Sequence, residues 1–341
     1  MNMNENYEGP RILITGGTGF VGPHLIRYLK PHASCISVLA SGMVADADSG
    51  VEYHSIDIRN REQVKSLVTQ LSPTSIYHLA GISSVGNSRA DPRLAYEVNV
   101  SGTFNLFEAA MSLPSPPKIL NVSTSQVYAP SAERLVERSL VGPDNPYAAT
   151  KAMAELLAVQ YRNAGAGGIV TARSFNHSGP GQTPGFFLSS VAKQFAEMET
   201  DSGPPKLAVG NLKIKRDFTD VRDVVRAYSL LLEKGKLDEV YNVCSGSSVC
   251  LADIVEMFQA KSGIKVTIET NPTRNRSNDV AEIWGDPRKL HEQTGWYPLI
   301  PLEQTVADIL EYWRSKSREN EVQCSGERRV VHKRCSTASL G

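Results

Sequence analysis

Tyr147-Ala148-Ala149-Thr150-Lys151 places a phenol and an ammonium four residues apart, within reach of each other on one face of a helix. A free tyrosine, with a pKa of about 10, is a poor proton donor or acceptor at neutral pH. A neighbouring cation favours its phenolate, so the spacing reads as an acid/base pair in which Lys151 activates Tyr147. Ser123-Thr124-Ser125 supplies hydroxyls that hold a carbonyl or alcohol oxygen beside that pair. A glycine-rich stretch, Thr15-Gly16-Gly17-Thr18-Gly19-Phe20-Val21-Gly22, comes much earlier in the chain. It follows an apolar run and precedes a helical pattern. In that context glycines let the backbone turn tightly against a pyrophosphate, and the helix N–H groups face its oxygens.

The elements that position these residues follow from periodicity. Strands are expected at 11–15, 35–40, 51–58, 75–79, 118–123 and 168–173, and helices at 20–29, 61–71, 99–111 and 147–163. Such alternation is the pattern of βαβ units and a parallel sheet covered on both faces. The expected class is α/β, with a Rossmann-type doubly wound sheet. A dinucleotide domain is assigned to 10–175 and a substrate lobe, interleaved with the last sheet strands, to 176–314. Further helices are expected at 221–234, 251–261 and 305–316. Residues 315–341 are polar, basic and without periodicity, and are read as a disordered tail.

Two more segments suit a dinucleotide. Asp57-Ile58 ends the third strand, where a carboxylate accepts from an adenine amino group; a helix N-cap is the alternative role for Asp57. His78-Leu79-Ala80-Gly81 ends the fourth, with small residues that let a ribose lie against backbone. The second strand ends in Leu39-Ala40-Ser41, without the acidic residue that repels a 2′-phosphate. The cofactor is therefore NADP(H) or NAD(H), with a lean to NADP(H).

The 341 residues carry 36 Lys plus Arg against 36 Asp plus Glu, so no global field draws nucleic acid or an anionic membrane. Anionic ligands must be held by local donors. Five scattered cysteines without a CxxC pair read as free thiols rather than a disulfide framework or a metal site. No apolar run approaches the roughly 18 residues of a membrane span, and residues 1–10 have no signal-peptide core. The expectation is a cytoplasmic enzyme without metal.

These motifs, with Asn99-Val100-Ser101-Gly102-Thr103 and Val122 to Tyr128, resemble the extended short-chain dehydrogenase/reductase family over about residues 10 to 314. The resemblance implies Thr124 as hydroxyl partner, Tyr147 as acid/base and Lys151 as activator and ribose ligand. It implies a cofactor site that includes Gly16, Thr18, Gly19, Phe20, Val21, Gly22, Asp57, Ile58, Leu79, Ala80, Gly81 and Asn99, and a homodimer through helices near 99–111 and 147–163. Arg173 to Gln182, with Asn176, looks like the family's loop for a substrate diphosphate. Arg216 and Arg276 look like its diphosphate arginines, and forked guanidinium donors suit that charge.

Residues 174–182, 192–194, 209–212 and 216–246 most resemble the GDP-4-dehydro-6-deoxy-D-mannose reductases of that family, which form GDP-rhamnose. Dehydratases of the family carry a proton-abstracting glutamate two residues after the catalytic threonine. Gln126 stands there, and an amide has no basic lone pair to take a proton from carbon. Ser83 and Ser84 are candidates for the sugar hydroxyls, with helix capping as their alternative, and Lys193 for the nucleotide. The competing functions are a GDP-mannose 4,6-dehydratase, a nucleotide-sugar 4-epimerase and a dinucleotide-sensing binding protein.

Overall fold

The computed structural model describes residues 9–41, 50–271 and 280–336, with side chains to 319. Its strands are β1 Arg11–Thr15, β2 Cys35–Ala40, β3 Val51–Ser55, β4 Ser75–His78, β5 Lys118–Thr124, β6 Ile169–Ser174, β7 Asn176–Ser178, β8 Lys206–Val209, β9 Lys215–Asp220, β10 Val240–Val243, β11 Ser248–Cys250, β12 Thr267–Thr270 and β13 Glu282–Ile283. The α-helices are α1 Val21–Leu29, α2 Arg61–Leu71, α3 Val85–Ala90, α4 Pro92–Tyr96, α5 Gly102–Met111, α6 Pro146–Asn163, α7 Phe187–Met198, α8 Val221–Lys234, α9 Leu251–Ser262, α10 Arg288–Thr294 and α11 Leu302–Ser336. They divide between two compact units: 1–177, 215–249 and 280–300; and 178–214, 250–279 and 301–341.

The first unit is built on a seven-stranded sheet of order β10-β6-β5-β4-β1-β2-β3. Every neighbouring pair is parallel. This is a Rossmann-type α/β fold, and the strand order reverses between β1 and β4. In such sheets the loops leaving the carboxyl ends of those two strands diverge, and ligands bind in the crevice between them.

Alternation along the strands fills both faces. Ile12 and Ile14 join one core with Leu25, Leu29, Tyr228 and Trp296, while Leu13 joins another with Ile76, Ile119, Leu106 and Phe107. Burying each such side chain contributes about 1.5–3 kcal/mol, so neither face tolerates a one-residue slip. β7, β9, β11 and β13 form a smaller sheet centred on β9. In the second unit, β8 and β12 pair in parallel. There the Trp313 indole of α11 donates to the Ser189 hydroxyl of α7 at 3.0 Å.

Three expectations need correction. The third strand stops at Ser55 rather than 58, because Asp57 and Asn60 form a turn closed by Asn60 N–H to Asp57 O. The helix expected from 99 starts as a π-turn, Glu97–Ser101, before α5. Residues 315–336 are not an irregular tail, since α11 runs through them; 337–341 lie outside the described residues. Composition explains this last miss: the stretch lacks proline, and Lys316–Glu319 and Arg318–Glu311 pair along the helix surface.

Candidate active site

The glycine loop leaves β1 with Gly16 at φ +68°, a left-handed conformation that costs other residues. A Cβ on Gly16 would lie 2.6 Å from Ala80 Cα, and one on Gly22 only 1.9 Å from Gly17 O. Gly16 N–H donates to Leu39 O at 2.8 Å, which ties the loop to β2. Helix α1 then begins at Phe20 without a side-chain cap and with no acidic residue in its first turn. Its first N–H groups stay available to an anion, so this cradle fits a pyrophosphate. Thr18 and Gly19 are exposed, and Val21 is half-buried. Phe20 stacks on His177 with 6.1 Å between ring centroids.

On the other side of the reversal point, Leu79 and Gly81 lead away from β4. Gly81 faces Asn99 Oδ1 and Lys151 Nζ, 2.9 and 3.4 Å from where a Cβ would stand. Asn99 clamps this loop: it accepts from Ile82 N–H at 2.7 Å and donates to Ile82 O at 3.2 Å. Ile58 is buried and packs on Gly102. Asp57 is not an N-cap, since Asn60 caps α2. Both Asp57 oxygens instead accept from Arg59, the shortest contact being 2.6 Å, and this holds its carboxyl below the usual range. Ser41 is exposed at the end of β2, and residues 42–49 after it lie outside the described residues.

The catalytic helix is α6. Asn145 caps it by accepting from Ala148 N–H at 3.0 Å, and Pro146 occupies its first turn. This start places Tyr147 and Lys151 on the buried face, 8% and 7% exposed, opposite Thr124 at the end of β5. The Thr124 hydroxyl accepts from Gln126 N–H at 3.3 Å and is hydrogen-bonded to the Tyr147 phenol. Lys151 Nζ donates to Val122 O at 2.8 Å.

Burial raises the Tyr147 pKa and the Thr124 hydroxyl opposes that rise, while the Lys151 ammonium donates to a main-chain carbonyl. Burial pushes Lys151 itself down to about 8, and Glu155 opposes that shift. Gln126 Oε1 accepts from Asn145 Nδ2 at 3.3 Å, so the amide is fastened beside the helix cap.

The other named residues are placed variously. Ser84 caps α3 by accepting from Asn87 N–H at 3.3 Å, and Ser83 is exposed beside it. Asn176 donates to Asp217 O at 3.1 Å. Arg216 donates from Nη1 to Lys215 O and Val280 O, both at 2.8 Å. Lys193, in the second unit, pairs with Glu197 at 3.4 Å and lies over the Trp313 ring. Arg276 lies outside the described residues.

Arg173 departs from the loop reading, since it is a β6 residue bonded to Glu155 at 2.7 Å. Glu155 also accepts from the Ser123 hydroxyl at 2.5 Å. Sequence reasoning missed Glu155, although it continues the four-residue spacing of Tyr147 and Lys151. It also missed Asp217, a buried carboxylate that gathers Ser245 N–H and hydroxyl, Gly246 N–H and Gly285 N–H.

Residues 13–309 match the family described as GDP-mannose 4,6 dehydratase. The chain belongs to that family, within the extended short-chain dehydrogenases/reductases. It is 33% identical to the GDP-6-deoxy-D-mannose reductase of Pseudomonas aeruginosa over 91% of this chain and 99% of the relative. It is 28% identical to the UDP-glucose 4-epimerase of Bacillus subtilis over 90% and 96%. A structure of RMD from Pseudomonas aeruginosa complexed with NADPH superposes with a TM-score of 0.80 at 32% identity, over 90% of this chain and 99% of that one. Family membership thus spans reductase and epimerase chemistry, and the dehydratase description alone does not assign the reaction.

Proposed function

We propose that this protein reduces the C4 ketone of GDP-4-dehydro-6-deoxy-D-mannose to the alcohol of GDP-D-rhamnose, using NAD(P)H. The observation that carries this reading is the Thr124–Tyr147 pair with the amide of Gln126, and no carboxylate, two residues after Thr124. The reductase relative and the NADPH-bound solved structure support it.

A dinucleotide held here would supply a hydride to C4, the carbonyl π electrons passing to its oxygen. Tyr147 gives that oxygen its phenolic proton. The Thr124 hydroxyl, beside the Tyr147 phenol, would hold the reacting oxygen. Lys151 would place a positive charge beside the nicotinamide ribose. The glycine loop, Ile58 and the 79–81 turn would hold the dinucleotide, and Asp57 would accept from its adenine. Ser83, Asn176 and Arg216 would serve the sugar and the diphosphate.

The protein acts as a homodimer in this reading. Phe104 on α5 and Met153 and Leu156 on α6 are 37%, 42% and 67% exposed, an apolar surface that a second copy would cover.

The test mixes the protein with GDP-4-dehydro-6-deoxymannose and NADPH or NADH and follows the reduced cofactor. Stoichiometric oxidation of one of them is expected, and no oxidation of either sinks the reading. GDP-mannose alone should stay unchanged; its conversion to the 4-keto sugar would mean that Gln126 does not block elimination. An epimerase would interconvert sugars without net cofactor loss.

A further inference from the structure

A chain of hydrogen bonds runs under the site from the glycine loop to the catalytic helix, and its donors all point one way. Thr103 Oγ1 donates to Asn99 O at 2.6 Å, which uses its only proton. It can therefore only accept from His78 Nε2, 2.8 Å away. The imidazole then carries its proton on Nε2, leaving Nδ1 to accept from the Thr15 hydroxyl at 2.7 Å. Thr15 in turn accepts from Ala80 N–H at 3.3 Å.

Beyond Asn99 the same logic repeats. Thr150 donates its hydroxyl proton to Tyr147 O at 2.8 Å, so it must accept from Asn99 Nδ2 at 2.9 Å. Thr15, His78, Asn99, Thr103 and Thr150 are each 2% exposed or less. Burial holds His78 down to about 3, so the ring stays neutral and its orientation is not disturbed by ordinary changes of pH. In a buried setting each donor has one partner, and a broken link leaves an unpaired polar group that the surroundings must move to satisfy.

We infer that His78 and Thr103 are positioning residues for the reaction: through Asn99 and Thr150 they hold the Tyr147–Lys151 helix at a set distance from the Thr15–Ala80 contact that shapes the dinucleotide loop. None of these groups touches the reacting atoms. The chain fixes geometry, and it carries no net proton. This inference rests on the redox reading above.

Three single variants and one double variant of the full protein test it. Thr103→Val keeps the side-chain shape and removes both hydrogen bonds, while Thr103→Ser keeps the hydroxyl and loses the methyl group. Thr150→Val breaks the same chain at its far end. Each valine variant is expected to lower kcat about tenfold with little change in sugar KM, and Thr103→Ser to restore it. The double valine variant should also fall about tenfold rather than a hundredfold, because the chain is already cut, and its loss in Tm should likewise stay below the sum of the two. A hundredfold loss in the double variant, or a serine variant as poor as the valine, would overturn the chain. If the wild type fails to oxidise NAD(P)H with the sugar, the redox reading falls, and NADPH fluorescence titration still reads the chain. There both valine variants should weaken binding by a similar factor, with no further loss in the double. Unaltered affinity in that titration would overturn the inference.

Discussion

Lys151 lies one helical turn after Tyr147, and its ammonium donates to the main-chain oxygen of Val122 at 2.8 Å. The strand end that carries Thr124 therefore also anchors the lysine. With its pKa lowered by burial to about 8, Lys151 is charged below that pH and neutral above it. Tyr147 is shifted upward, so the donor stays protonated across the same range. Reduction is expected to decline as pH rises through about 8, in a kcat/KM profile; Lys151→Arg should remove that limb from the accessible range. The stability sign is separate. A lysine with a lowered folded pKa binds fewer protons folded than unfolded between about 8 and its ordinary value near 10.4, so its contribution to stability rises with pH over that window.

Tyr147→Phe removes only the hydroxyl from a buried ring. Turnover should fall by about 10²–10⁴-fold, the usual worth of a general acid, while NADPH titration stays near wild type. Unchanged turnover would take the proton-donor role away from Tyr147.

Gly16→Ala combines two faults. The left-handed φ of +68° costs about 1–2 kcal/mol with a side chain, and the new Cβ meets Ala80 Cα at 2.6 Å. Dinucleotide affinity is expected to drop at least tenfold and Tm to fall, as read by titration and thermal unfolding.

Glu155→Gln leaves the guanidinium of Arg173 buried without its charge partner. The side chains are 6% and 10% exposed, so a cost of about 3–5 kcal/mol in urea unfolding is expected. A cost under 1 kcal/mol would show that Glu137 O and the Tyr128 ring suffice to hold Arg173.

Leu156→Arg places a charge on the apolar surface of α6. Sedimentation should then show monomer where the wild type shows dimer. A wild-type monomer would refute the association.

Local order made much of this protein legible. Strands β1, β2 and β5 and helices α1, α2 and α8 follow from runs and periods of apolar residues, because a sheet covered on both faces demands them. Gly16 and Gly22 were readable as a phosphate loop, since only glycine tolerates such close backbone. The four-residue step from Tyr147 to Lys151 put both on one helix face. Partners across the fold were not legible. Residues 18 apart supply the Glu155–Arg173 pair, and 63 separate Thr15 from His78. No spacing rule reveals that Lys151 bonds Val122 or that Asn99 bonds Thr150. The sequence by itself determined which groups the site contains and that a dinucleotide loop precedes them. Only the tertiary structure decided which donor meets which acceptor, because burial makes every hydrogen bond compete for a partner that the packing of separate strands brings near.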